Sequence, residues 1–313
     1  MLAPFQQLPF AQVPTLPRLP HRYFESRAET VVVSSRPFGR INLHVRTFGQ
    51  GPPLLLLHGF MTTSYSWRYM LEPLGASYTL YVPDLVGSGQ SDKPDVSYHP
   101  DALAESIGET MRALGIWGAP VIGNSLGGYL AMRLALQEPT AMSRLVNLHS
   151  PGLPTARMRA LRLALALVPR HQALIRWLVW RNPERWVHQH VHYFDETLKS
   201  REEHNEYATP LRTPAGLRAF TRMLDETLDV QAMGEFQAAL RQLGRFPVPL
   251  LLVYSARDKM VPPVVGRRFR ALLPDAQFVE LPNASHFAHV DAPSAFLAAI
   301  RPFLEDNQAG AMA

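Results

Sequence analysis

Residues 121–131 read VIGNSLGGYLA, a single serine, Ser125, caged by Gly123, Gly127 and Gly128. The preceding APVI (119–122) is short and apolar, as a buried strand is, and the following YLAMRLAL (129–136) is a helix-forming run. A Gly-x-Ser-x-Gly pattern between a strand and a helix takes the chain through a sharp turn. Side chains on the neighbouring positions would collide there, and the serine hydroxyl is left at the apex. An ordinary tight turn is the bland reading; the strand before and the helix after favour a serine held to react.

Outward from this turn, short apolar or β-branched runs alternate with helical stretches. TVVVSS (30–35), INLHVRTF (41–48), PLLLLHG (53–59), YTLYVPD (78–84), APVIGN (119–124) and RLVNLHS (144–150) read as strands. PVPLLLVYSA (247–256) and AQFVELP (276–282) complete a set of eight. The later strands are apolar on both faces, as expected of parallel strands covered by helices. DALAESIGETMRALGI (101–116) and LGGYLAMRLALQEP (126–139) carry apolar residues at helical spacing. This predicts an α/β fold with a mostly parallel eight-stranded sheet and helices on both faces.

Two segments break the rhythm. Residues 1–27 carry prolines at 4, 9, 14, 17 and 20, which disfavour helix and predict an extended arm, lying on the surface or mobile. Residues 153–240 contain no convincing strand but several amphipathic helical segments punctuated by proline, which predicts a helical insertion. The α/β core is then 28–152 together with 241–306.

A serine hydroxyl needs a base oriented by a third group. In this arrangement the chain order is Ser, Asp or Glu, then His. RDKMVPP follows the strand in PLLLVYSA (249–256) and offers Asp258; NASHFAHVDAP follows the last strand and offers His286. The alternative acid position, after the strand in RLVNLHS, is occupied by HSPG and holds no carboxylate. The HGF stretch predicts that the backbone N–H of Phe60, with that of Leu126 at the start of the helix after the serine, forms an oxyanion hole. His58 is read as a support for that loop, Asp84 as a turn-former, and His289 as a neighbour of the base.

Composition narrows the alternatives. The 313 residues are 47% hydrophobic and 18% charged, with a net charge of +5 and no cysteine. Disulfide scaffolds, thiolate metal sites and cysteine nucleophiles are therefore excluded. No basic and aromatic tract of a nucleic-acid module is present. No apolar run is long enough to span a bilayer, and the start does not read as a signal peptide; cytoplasm is the expected location. His188 and His192 sit at i and i+4, a metal-compatible spacing, but with no third ligand in evidence no metal and no cofactor are expected.

Taken together, HGF, PDLVGSGQSDKP, GNSLGG, ARDKMVP and ASHFAHVDAP, in this order, resemble the α/β-hydrolase family over residues 30–305. The resemblance implies that the insertion is a cap over the active site. GSGQSDKP is similar to epoxide hydrolases and haloalkane dehalogenases, which carry aspartate as nucleophile; serine here points to acyl chemistry. The expectation is a serine hydrolase of small-molecule esters with catalytic Ser125, Asp258 and His286. GNSLGG also looks like hydrolases of aromatic-ring meta-cleavage products, so carbon–carbon bond hydrolysis is the first alternative. That family usually carries a GSGPG-like oxyanion loop and Trp after the histidine, where this chain has GFMTTS and Phe287. Perhydrolase or acyltransferase chemistry, and a ligand receptor on the same fold, are further alternatives. Residues 153–190 hold seven arginines (157, 159, 162, 170, 176, 181, 185) against one acidic residue, Glu184. With Trp177, Trp180 and Trp186 nearby, and Met158, Leu161, Leu165 and Val168 able to share a helix face, the bland reading is an apolar face over the pocket with solvated arginines. The sharper one is contact with an anionic membrane surface.

Overall fold

The eight apolar runs form one sheet because each strand can bury side chains on both of its faces. A computed structural model describes residues 3–167 and 171–306 and gives the strand order β1-β2-β4-β3-β5-β6-β7-β8. The strands are β1 (Arg27–Ser35), β2 (Gly39–Phe48), β3 (Pro53–Leu57), β4 (Thr79–Pro83), β5 (Val121–Asn124), β6 (Leu145–Leu148), β7 (Leu250–Ser255) and β8 (Gln277–Leu281). β2 is antiparallel to both β1 and β4, and every pairing from β4 to β8 is parallel. In β3, Leu55 and Leu57 join the core on one face while Leu54 and Leu56 join the core on the other. Such alternation explains why β3, β5, β6 and β7 are uninterrupted apolar runs. β8, at the sheet edge, is buried only at Leu281.

The helices are α1 (Leu71–Gly75), α2 (Pro100–Ala113), α3 (Leu126–Gln137), α4 (Ala156–Ala166), α5 (His171–Arg181), α6 (Pro183–His190), α7 (Arg201–Ala208), α8 (Pro214–Thr227), α9 (Val230–Leu243), α10 (Pro263–Leu272), α11 (Ala288–Asp291) and α12 (Pro293–Glu305). α4 to α9 lie between β6 and β7, and no strand occurs among the described residues there.

The proline-rich arm is docked along the helical segment. Leu8 O accepts from His188 Nε2 at 3.0 Å, and Gln7 Nε2 donates to His188 O at 3.0 Å. The first two amides of α7, at Arg201 and Glu202, donate to Pro14 O and Thr15 O at 2.8 and 3.0 Å. A helix N-terminus leaves such amides without intrahelical acceptors, and here the arm supplies them. His188 of the i, i+4 histidine pair is thereby engaged, and Gln7 Nε2 also lies 3.0 Å from His192 Nδ1.

A second tie joins the helical segment to the loop after β3. Arg68, buried over the rings of Tyr65 and Tyr69, donates to Glu203 Oε2 at 2.5 Å, and Tyr193 Oη donates to the same oxygen at 2.7 Å. Both charged side chains are fully buried, so removing either leaves the other unpaired in low dielectric. Glu203→Ala should lower the unfolding free energy by about 3–5 kcal/mol. Glu29→Ala, which breaks the exposed pair with Arg27, should cost at most about 1 kcal/mol. Urea titrations of the two variants beside the parent make the comparison.

Candidate active site

The turn after β5 is shaped by an absence of space. A Cβ on Gly123 would lie 2.5 Å from Gly128 N, and one on Gly127 would lie 2.6 Å from both His58 O and Leu57 O. α3 therefore seats its first turn directly on the ends of β3 and β5. Ser125 is forced to φ 52°, ψ −117°, a conformation that costs a non-glycine residue of order 1–3 kcal/mol. Leu126 N opens the helix, and neither it nor Phe60 N donates to a protein acceptor among the described residues. The Phe60 loop is close to the serine: a Cβ on Gly59 would meet Ser125 Cβ at 3.1 Å.

His58 holds that loop. Leu85 N donates to His58 Nε2 at 3.0 Å, which leaves the proton on Nδ1, 2.8 Å from Gly59 O. Burial lowers its pKa, so the ring is a neutral brace. Asp84 ties the same region to the following loop, accepting from Ser64 N at 2.7 Å and from Gln90 N at 2.8 Å. Its role is structural, as the sequence suggests.

The structure brings Asp258 and His286 together from the ends of β7 and β8. His286 Nδ1 donates to Asp258 Oδ2 at 2.7 Å, with both side chains buried. Asp258 Oδ1 accepts from the amides of Met260 and Val261 at 2.7 and 2.9 Å. Burial pushes the Asp258 carboxyl up, but the attraction of His286 and these hydrogen bonds outweigh it, and the net pKa is below the ordinary value. His286 reaches the serine turn through its main chain, because Asn124 Nδ2 donates to His286 O at 3.1 Å. No hydrogen bond joins Ser125 Oγ to the His286 ring among the described residues. His289 is fully buried against Trp67, ring centroids 4.4 Å apart, and burial holds its pKa well below the ordinary histidine value.

His149 is the residue that sequence reasoning passed over. It lies just after β6, at the alternative acid position, with φ 56° and no solvent exposure. Since His286 O can only accept, His149 Nδ1 donates to it at 2.9 Å, and Nε2 then accepts from Ser255 Oγ at 2.8 Å. The His286 carbonyl is thus held by two donors, His149 and Asn124. The sequence signal was the HSPG stretch itself, which offers an imidazole at a position where a carboxylate is the expected group. His149, Asp258 and His286 place ligand-capable atoms within 4.8 Å of one another. Both His149 nitrogens, both Asp258 oxygens and His286 Nδ1 are already hydrogen-bonded. A cation there would have to displace those bonds.

A small pocket lies beside the Phe60 loop, lined by Phe60, Met61, Tyr207, Leu211, Phe220 and Met223 among others. Phe60 stacks on Phe220 of α8 at 5.0 Å. The helical segment supplies Tyr207, Pro210, Leu211, Gly216, Phe220 and Met223 of the pocket lining, and Ser125 and His286 are not part of it.

Comparison with known proteins places this arrangement. A model of the alpha/beta hydrolase fold matches residues 52–293, and the chain belongs to that family of hydrolases. It is 26% identical to the 2-hydroxymuconate semialdehyde hydrolase of a Pseudomonas strain, over 87% of this chain and 93% of the other. It is 28% identical to a haloalkane dehalogenase of Mycobacterium tuberculosis, over 83% and 91% of the two chains. The solved structure of a thermophilic esterase from Thermogutta terrifontis is similar with a TM-score of 0.64 at 22% identity, covering 89% of this chain and 98% of that one.

Burial lowers the His149 pKa to about 4. An unfolded imidazole takes its proton near the ordinary value, about 6.5, while the folded one resists until about 4. Stability contributed by the neutral ring is therefore present at neutral pH and lost as pH falls through that window. Between about pH 7 and about pH 5 the loss amounts to roughly 2 kcal/mol. The acid-induced drop in unfolding free energy should be smaller by about that amount in His149→Gln; equal drops in urea titrations at the two pH values would show that His149 does not titrate this way.

Proposed function

We propose that the protein is a serine hydrolase that cleaves carboxylic esters through an acyl-enzyme intermediate. The observation that carries this reading is the serine turn, with two unbonded amides beside it and a His286–Asp258 pair tied to the same turn through Asn124. His286 Nε2 takes the Ser125 proton as Oγ attacks the ester carbonyl. Asp258 holds the ring with Nδ1 protonated and stabilises the imidazolium that forms. The Phe60 and Leu126 amides receive the negative charge on the carbonyl oxygen. His286 then protonates the leaving alcohol, and water, activated by the same ring, releases the acid. The helical segment acts as the cap, and the apolar lining beside Phe60 suits an apolar substrate group.

A second reading is carbon–carbon bond hydrolysis, favoured by the likeness to the 2-hydroxymuconate semialdehyde hydrolase. The same serine machinery serves both reactions. Dehalogenation by a carboxylate nucleophile does not fit, because the residue at the turn is Ser125.

A panel of p-nitrophenyl esters of increasing acyl length, run beside a meta-cleavage dienoate, separates the readings; turnover of the dienoate alone would replace the first by the second. On the preferred substrate, Ser125→Ala and His286→Ala should each lose at least about a thousandfold in kcat, with Asp258→Asn somewhat less affected. A fluorophosphonate should label Ser125 alone. Turnover by Ser125→Ala within about tenfold of the parent would remove the serine from the chemistry.

A further inference from the structure

α5 buries Val179 and packs Ile175 against the core, yet it leaves a second apolar stripe exposed. Leu174, Trp177 and Leu178 are 49%, 50% and 42% exposed, and Trp180 is 63% exposed. The spacing of the first three sets them on one stripe of the helix. Its polar side chains point the opposite way: His171 Nε2 lies 3.1 Å from Asp225 Oδ2, Gln172 Nε2 donates to the same oxygen, and Arg176 Nη1 donates to Thr221 Oγ1 at 3.3 Å. Those partners belong to α8, whose Phe220 and Met223 line the pocket beside Phe60. α5 is thus stacked on the outside of a pocket wall, with its leucines and tryptophans facing away. On α4 and just after it, Leu163 and Leu167 are likewise exposed, at 66% and 76%. Contiguous apolar surface of this kind marks an interaction site.

The rim carries one sign of charge. Arg159, Arg181 and Arg185 are exposed and pair with no carboxylate among the described residues, Arg181 lying over the Trp177 ring at 5.0 Å. Glu184, the acidic residue nearest to Arg181 and Arg185 in the chain, is occupied by Arg201 and Arg212, each at 2.7 Å. Arg162 is not part of this rim, because its guanidinium turns inward to Asp225 and Asp229. Trp186 is also withdrawn, stacked on His190 at 3.9 Å. Val168 and Arg170 lie outside the described residues.

A second copy of the chain related by a two-fold axis would set this arginine rim against itself with no acid to answer it. An anionic bilayer answers both features. Lipid phosphates meet the arginines, while tryptophan and leucine enter the boundary between headgroups and acyl chains. We propose that the outer face of α5, with the end of α4, docks on the surface of an anionic phospholipid membrane.

The test is sedimentation of the full chain, carrying Ser125→Ala so that hydrolysis plays no part, with vesicles of phosphatidylcholine alone or mixed with phosphatidylglycerol. Binding should favour the mixed vesicles, weaken with added salt and shift tryptophan emission to the blue. Arg159→Gln, Arg181→Gln and Arg185→Gln together should reduce partitioning by about fivefold per arginine. Trp177→Ser with Trp180→Ser should weaken it on both vesicle types while leaving circular dichroism unchanged. Failure to bind the mixed vesicles, equal and salt-independent binding to both types, or binding undiminished in both variants would overturn the proposal. So would a dimer in light scattering that the tryptophan variant abolishes, which assigns the face to a second copy. Because binding is read without turnover, its failure is distinct from failure of the esterase reading.

Discussion

The contact of α3 with the ends of β3 and β5 sets the geometry of the candidate site. Backbone meets backbone there at distances that leave no room for a side chain on Gly123 or Gly127, and Ser125 takes a left-handed backbone as the result. Nothing at the turn can relax without lifting the helix off the sheet. A strained residue held this rigidly needs little reorganisation when charge develops beside it, which is the physical sense in which a site is prepared in advance. The distance from Gly59 to the serine, and the direction of the Phe60 and Leu126 amides, are set by the same packing.

Around that turn the fold uses imidazole in two different ways. His58, His149 and His289 are buried rings kept uncharged by desolvation. The first two brace main-chain carbonyls of the loops that carry Phe60 and His286. His286 differs because it faces a carboxylate, and that carboxylate is itself saturated by two amides. A neutral ring can fix a carbonyl without bringing a competing charge, so among the described residues the only charged partner of His286 is Asp258. The carbonyl clamp restrains the loop while leaving Nε2 unengaged among the described residues.

The strands were legible because burial on both faces of β3, β5, β6 and β7 forces nearly continuous apolar runs, and their ends mark where Ser125, Asp258 and His286 had to lie. Such inference works on the residues just beyond a strand end, where side-chain type is the signal that sequence offers. It could not find His149, whose role depends on a carbonyl far along the chain and on a proton position that neighbours dictate. The orientation of α5 was likewise hidden. Leucine and tryptophan at helical spacing predict a face that is buried, but α5 turns Val179 and Ile175 inward together with its hydrogen bonds to α8 and leaves Leu174, Trp177 and Leu178 outside. The arm shows a third kind of limit: proline spacing disfavours an α-helix, but the 3-10 turns at Phe10–Gln12 and Tyr23–Glu25 and the acceptors for the α7 amides are set by tertiary placement.

The docked arm also orders events in folding. Gln7 and His188 are 181 residues apart in sequence, so the chain must close a very long loop before that contact yields anything. During synthesis the arm emerges well before α6 and α7, yet its resting place on them does not exist until those helices have been made and packed. A segment made early is therefore among the later ones to reach its final position, and through this contact folding of the arm is coupled to completion of the helical segment.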